Sequence, residues 1–310
     1  MRKISEYKFG MLGILAAIMV TGCVKDNSQE LKEQEMKLLQ QYLETNNITV
    51  EPTASGLYYI PIKEGTGISP DEGTWIEIQY TGELIDGTVF STSIEETAEM
   101  NDIHDEGYLY GPSRLQLGNI GLAGLNEGIQ LMKVGGKAKF ILPSDLGMGG
   151  FASGLVPAYS TLIYTIELLE AFDDPEKHEQ EKIWAYLKEG AFENVDSTES
   201  GLYYIQETAG IGELFVDGDN VTVWYTGKFL DGRVFDSNLT EEAFSFSVPG
   251  SYIIEGWQEG IKLMRDQEKG ILIIPYHLGY GAEGCYDEYG RVVVPPYMTL
   301  VYEMEAELTP

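Results

Sequence analysis

Between residues 30 and 46 the apolar side chains Leu31, Met36, Leu39 and Leu43 fall close to the 3.6-residue period of a helix with one buried stripe. The spacing then shortens to the alternation and short apolar runs of strands, over 57–63, 75–80, 137–142 and 161–168. The same succession follows again. Asp174 and Pro175 make an N-cap and first helical turn, Ile183, Trp184 and Leu187 supply an apolar stripe, and Gly190 ends it. Strand-like segments return at 202–207, 220–225, 270–274 and 299–306. Between 220–225 and 270–274, Ile253 to Met264 carries apolar residues at the wider spacing of one short helix. Sheet plus a short helix, given twice, predicts an α+β fold in two copies, each preceded by an amphipathic helix.

Residue identity supports the duplication. Ser55-Gly56-Leu57-Tyr58-Tyr59-Ile60 recurs 145 positions later as Ser200-Gly201-Leu202-Tyr203-Tyr204-Ile205, and the same offset carries Tyr80-Thr81-Gly82 onto Tyr225-Thr226-Gly227. Between Phe90/Phe235 and Gly128/Gly260 the offset falls by 13, so the first copy holds an insertion there that includes the acidic stretch 95–106, expected as a loop. By Thr161/Thr299 it has risen by six, which puts extra residues of the second copy around 285–291. The acidic insertion lacks EF-hand spacing with its central glycine and reads as a solvated loop rather than a calcium site.

Composition bounds the rest. A chain of 310 residues with 43% hydrophobic content can bury two ordinary cores. Its formal charge of −30 repels phosphate backbones, which argues against nucleic acid, while 20 Tyr, 11 Phe and 4 Trp argue against disorder. The basic start at Arg2 and Lys3, the apolar run 11–20 and the small residues of Val20-Thr21-Gly22-Cys23 form a secretory signal too short to span a membrane. Its ending resembles a bacterial lipobox, which implies a lipid on Cys23 as membrane anchor and an extracytoplasmic chain at the cell envelope. Cys285 is then left without a partner and reads as a passive loop thiol.

Six ordered blocks of the second copy resemble the FKBP-type peptidyl-prolyl isomerases: Val223-Trp224-Tyr225-Thr226-Gly227, Asp231-Gly232, Phe235-Asp236-Ser237, Ile253-Ile254-Glu255-Gly256-Trp257, Tyr280-Gly281-Ala282, and Val293-Val294-Pro295-Pro296-Tyr297-Met298-Thr299-Leu300. The resemblance implies an antiparallel sheet wrapped around the short helix, with a pocket between them. It assigns Trp257 to the pocket floor, Tyr225, Phe235, Phe244 and Tyr302 to aromatic walls, and Ile253, Ile254 and Val294 to the apolar lining. Asp236 and Tyr280 match the polar groups, with the Tyr280 hydroxyl and the Ile254 amide as donors to a bound carbonyl. The first copy keeps Tyr80, Phe90, Leu122, Val156 and Tyr164, but has Ser91 for the aspartate, Leu125 for the tryptophan and Met148 for the tyrosine.

The implied organisation is a signal peptide (1–22), tether and helix (23–49), an FKBP-like domain with a degenerate pocket (50–172), a linker helix (173–195) and a second, active FKBP-like domain (196–310). The implied function is cis/trans isomerisation of Xaa-Pro bonds in exported polypeptides. Its partners are proline-containing chains and, through Cys23, a membrane; a homodimer seam on the two helices is left open, and no cofactor or metal is implied. The alternative is a non-catalytic peptide-binding chaperone or adhesion module on the same scaffold. Gly279-Tyr280-Gly281-Ala282-Glu283-Gly284 mimics a dinucleotide-binding loop but lacks a βαβ setting. His104, His178 and His277 have no metal-ligand spacing, and no serine or cysteine has a histidine partner that would make a hydrolase.

Overall fold

A computed structural model describes residues 27–309. The expected leader, Cys23 and the start of the tether lie outside those residues, and no described helix is long and apolar enough to cross a membrane.

The chain begins with α1 (Ser28–Thr45), then β1 (Tyr58–Lys63), β2 (Trp75–Leu84), β3 (Val89–Thr92), α2 (Glu95–Met100), β4 (Ser113–Gln116), α3 (Ala123–Gln130), β5 (Lys137–Leu142) and β6 (Leu162–Phe172). It continues through α4 (Pro175–Glu189), β7 (Val195–Ser197), β8 (Tyr203–Thr208), β9 (Ile211–Leu214), β10 (Asn220–Phe229), β11 (Val234–Ser237), β12 (Phe244–Ser247) and α5 (Glu255–Gly260). The last elements are β13 (Arg265–Asp266), β14 (Glu268–Ile274), β15 (Cys285–Tyr286), β16 (Val292–Val294) and β17 (Leu300–Leu308).

Two antiparallel sheets repeat one topology. The first runs β1-β5-β6-β2-β3 with β4 also on β2; the second runs β7-β8-β14-β17-β10-β11 with β12 also on β10. Each long central strand, β2 or β10, therefore divides its edge between two short partners. A polar side chain makes the division. Buried Asn238 accepts from the Tyr225 amide at 2.8 Å and donates to the Val223 carbonyl at 2.9 Å, and Ser93 accepts from the Tyr80 amide at 3.0 Å in the first sheet. These bonds occupy backbone groups that a ladder would otherwise pair.

The short helix packs against one face of each sheet. Gly256 and Gly260, one turn apart, let α5 approach β14 closely: a Cβ on either would meet Ile274 at 2.4 Å or Leu272 at 2.3 Å. The buried clusters on this face centre on Trp257, Tyr302 and Leu272 in the second domain and on Leu125, Phe140 and Tyr164 in the first.

The preceding helices cover the opposite face of their own sheets. Leu39 and Leu43 pack with Ile141 and Ile163, and Ile183 packs with Ile205, Ile271, Ile273 and Val301. The stripes differ in phase from the expected ones, because Met36 and Trp184 are exposed while Glu35 and Glu179 are buried. Glu35 accepts from the Ser144 amide and hydroxyl, each at 2.6 Å, and from Thr161 at 2.8 Å; Glu179 accepts from the Thr299 amide at 3.0 Å. Each glutamate is thus a polar pin in a position where periodicity alone expects an apolar side chain, made tolerable by saturation of its oxygens. A second correction concerns the acidic insertion: 95–100 forms the helix α2, which buries Ala98.

Candidate functional site

In the second domain the aromatic residues singled out from the sequence converge on Trp257. This side chain leaves the first turn of α5 and is almost fully buried. Tyr225 of β10 and Tyr302 of β17 meet its ring edge-on at centroid distances of 4.9 and 5.0 Å, and Phe244 of β12 does so at 6.0 Å. Phe235 of β11 stands perpendicular to Tyr302 at 5.6 Å. Edge-to-face contacts at these separations suit the ring quadrupoles and fix each orientation. Ile253, Ile254, Tyr280 and Val294 pack against the same cluster, Val294 buried and the other three half-buried. The Trp257 indole Nε1 is buried without a protein acceptor among the described residues.

Gly227 explains how Phe235 and Tyr302 come so near the strand. A Cβ there would lie 2.8 Å from the Phe235 ring and 2.9 Å from the Tyr302 ring. Across the ladder Gly227 faces Asp236, and a bulge follows immediately, turning the Asp236 side chain toward the groove.

Asp236 Oδ2 accepts the Tyr225 hydroxyl at 2.7 Å. Burial, then this bond, raises the Tyr225 phenol far above its ordinary pKa; burial raises Tyr302 likewise. Tyr280, hydrogen-bonded to Tyr302, is raised first by burial and then by the Cys285 and Asp236 charges. All three phenols therefore keep their protons near neutrality and act as hydrogen-bond donors. Ile254 precedes α5 in extended conformation (φ −63°, ψ 153°), which leaves its amide outside the helix's own ladder.

The first domain keeps the frame and alters the chemistry. Gly82 faces Ser91 in the register of Gly227 and Asp236, and a Cβ on Gly82 would again strike Phe90 at 2.8 Å and Tyr164 at 2.9 Å. Leu125 replaces the indole in the core. The Tyr80 hydroxyl is 3.2 Å from the Ser91 hydroxyl and 3.1 Å from that of Tyr108, a residue of the insertion. Tyr108 thus supplies a neutral partner to Tyr80 where the second domain has a carboxylate.

Two contributors escaped the sequence reading. Phe246, two residues beyond Phe244 on the same strand face, stacks obliquely on Trp257 at 6.2 Å, and the period of two could have revealed it. Leu109, from the first domain's insertion, packs against the second domain's core, a contact no local pattern announces.

The histidines have structural partners. His104 lies 3.3 Å from Glu95 and stacks on Tyr110. His178 lies 2.8 Å from Glu170 and stacks on Phe172 at 3.7 Å. His277 is 2.8 Å from the Ser200 carbonyl. Glu77, Glu170 and His178 have ligand atoms close enough to share a cation, but the Lys182 ammonium occupies that position, 3.3 Å from Glu77 and 3.0 Å from Glu170. The half-buried Cys285 thiol has its pKa raised by burial, so it is a poor nucleophile.

The family model of FKBP-type peptidyl-prolyl cis-trans isomerases matches the chain twice, over residues 67–169 and 212–307. The chain is similar to the FKBP-type 22 kDa peptidyl-prolyl cis-trans isomerase of Escherichia coli strain K12, with 35% identity over 193 residues, which are 59% of this chain and 89% of that protein. It is 37% identical to FKBP-type peptidyl-prolyl cis-trans isomerase FkpA of Aeromonas hydrophila over 138 residues, 44% of this chain and 46% of that one. Among solved structures, that of FkpA from Escherichia coli aligns with 34% identity and a TM-score of 0.37, covering 44% of this chain and 61% of that chain.

Proposed function

The chain belongs to the FKBP-type peptidyl-prolyl cis-trans isomerases, and on that premise we propose that the groove around Trp257 catalyses rotation about Xaa-Pro bonds, while the first domain binds or positions the client. The observation that carries this reading is the contrast between the copies. The aromatic ring with its Tyr225–Asp236 pair is complete in the second domain, whereas Ser91, Leu125 and Met148 stand at the corresponding places in the first.

Rotation about a peptide bond breaks amide resonance against a barrier of about 18–20 kcal/mol, and only before proline are both isomers appreciably populated. No nucleophile is required. The twisted amide is less polar than the planar one, so a groove of aromatic walls that excludes water favours it over the ground state. The Tyr280 hydroxyl and the Ile254 amide would hold a substrate carbonyl. Asp236, with Oδ2 held by Tyr225, keeps Oδ1 to accept from a substrate N–H.

The clients we propose are exported polypeptides, on the strength of Arg2, Lys3, the apolar run 11–20 and Val20-Thr21-Gly22-Cys23. In this reading a lipid on Cys23 anchors the chain on an extracytoplasmic membrane surface, and the working domain comprises 196–310. Radiolabelled fatty acid should enter the wild type and not a Cys23→Ser variant. The catalytic reading is tested with the full chain on a short Xaa-Pro peptide enriched in the cis isomer. Accelerated relaxation that disappears in a folded Phe235→Ala, Asp236→Ala variant supports it. Saturable peptide binding without acceleration would instead make the chain a binding module.

A further inference from the structure

The two insertions that distinguish the repeats meet each other beside the second groove. In the strap 105–112 of the first domain, Asp105 Oδ2 accepts from Arg291 Nη1 at 2.6 Å, and Arg291 lies in the stretch where the second copy is longer. The carbonyls of Tyr110 and Pro112 accept from Arg233 Nη1 at 3.1 and 3.4 Å. Between these anchors Leu109 packs into the second domain's apolar cluster, while its neighbour Tyr108 turns back to Tyr80 of its own domain.

The anchors are close in sequence to the candidate walls. Arg233 precedes Phe235 by two residues and Asp236 by three; Arg291 precedes Val294 by three. The strap therefore joins the β10–β11 turn, which leads into Phe235 and Asp236, to the loop that leads into Val294 on β16. The guanidinium of Arg291 is also tied to Asp287 at 2.6 Å, so the loop is braced internally before the strap engages it.

We propose that the strap is a working part of the second domain's groove, with Asp105 and Leu109 as positioning residues that hold the Phe235 turn and the Val294 loop at the spacing a peptide needs. This rests on the reading that the second groove is the isomerase site. It makes a polypeptide's affinity for one domain depend on residues of the other, without contact between those residues and the reacting bond.

The test uses the full chain and alters only first-domain residues. In Asp105→Asn and Leu109→Ala the KM for an Xaa-Pro tetrapeptide should rise roughly fivefold, with kcat within about twofold, the pattern of weakened uniform binding. Asp105→Glu should restore the wild-type KM. Raising salt from about 0.1 to 0.5 M should raise the wild-type KM but not that of Asp105→Asn, because screening acts on the ion pair already lost there. Thermal unfolding of each variant confirms folding; Asp105 is exposed at the surface, so its amide variant leaves the core intact. Unchanged KM in both folded variants would overturn the proposal and leave the strap a simple domain contact. An inactive wild-type chain would instead overturn the functional reading on which it rests.

Discussion

The equivalent glycines Gly82 and Gly227 allow the two grooves to be perturbed identically. A Cβ at Gly227 would sit 2.8 Å from Phe235 Cζ and 2.9 Å from Tyr302 Cε1; at Gly82 the distances to Phe90 Cζ and Tyr164 Cε1 are the same. Carbon atoms rest about 3.5–4.0 Å apart, so a ring must retreat by roughly 0.6–1.2 Å in either domain. Tyr302 is 4% exposed and wedged between Trp257 and Tyr225, whereas Phe235 is half-buried, so Phe235 yields. Overpacking of this size costs about 1–3 kcal/mol. Gly82→Ala and Gly227→Ala should therefore lose comparable stability, seen as similar reductions in urea midpoint. Their activities should part. A wall displaced by about 1 Å costs up to roughly 100-fold in catalysis; we expect at least a tenfold fall in kcat/KM for Gly227→Ala and less than twofold for Gly82→Ala, measured with a tetrapeptide. Equal losses in both variants, or full activity in Gly227→Ala with Phe235 displaced, would refute the reasoning.

Further outcomes follow from the charges. Arg114, whose side chain is 1% exposed, binds Glu77 and Glu179 at 2.6 and 2.7 Å and donates to the carbonyls of Pro296 and Tyr297 across the domain boundary. Arg114→Ala leaves the buried Glu179 carboxylate without a cation, while Glu77 keeps Lys182 at 3.3 Å, and should cost about 3 kcal/mol in denaturant unfolding; a loss under about 1 kcal/mol would contradict this. The Glu170 pKa is lowered to about 2, first by its bond to His178 and then, after the opposing effect of burial, by Lys182. A depressed carboxylate stabilises the fold above its unfolded pKa and loses that contribution as pH falls from about 4.5 to 2. Because its side chain is 38% exposed, the screened contribution is about 1 kcal/mol. The stability gap between wild type and Glu170→Gln should accordingly close over that range. Tyr225, Tyr280 and Tyr302 all have raised pKa values, so kcat/KM should stay level from about pH 7 to 10; a decline with a midpoint near pH 10 would assign an ordinary phenol to the site.

The sequence made the sheet legible because its strands alternate, and made the groove legible because Tyr225, Phe235 and Trp257 belong to quotable blocks, with Phe244 and Tyr302 placed only by the resemblance those blocks carry. The helix phases were less accessible. Glu35 and Glu179 fill core-facing positions with carboxylates whose hydroxyl and amide partners lie more than 100 residues away, so periodicity assigned Met36 and Trp184 to stripes they do not join. The insertion helix α2 was hidden for a related reason: Ala98 is its one buried residue, which leaves no apolar period to read. The joint between insertions was beyond reach altogether, since Asp105–Arg291 and Arg233–Tyr110 depend on how the domains dock.

The most direct test of the account assigns the activity to one groove within the intact chain. Relaxation of a cis-enriched Xaa-Pro peptide would be followed with the wild type, with Phe235→Ala, Asp236→Ala, and with the matched first-domain variant Phe90→Ala, Ser91→Ala, each verified as folded. The account predicts catalysis by the wild type and the first-domain variant at comparable rates, and relaxation at the uncatalysed rate with the second-domain variant. Full catalysis by the second-domain variant, or its loss in the first-domain variant alone, would contradict it.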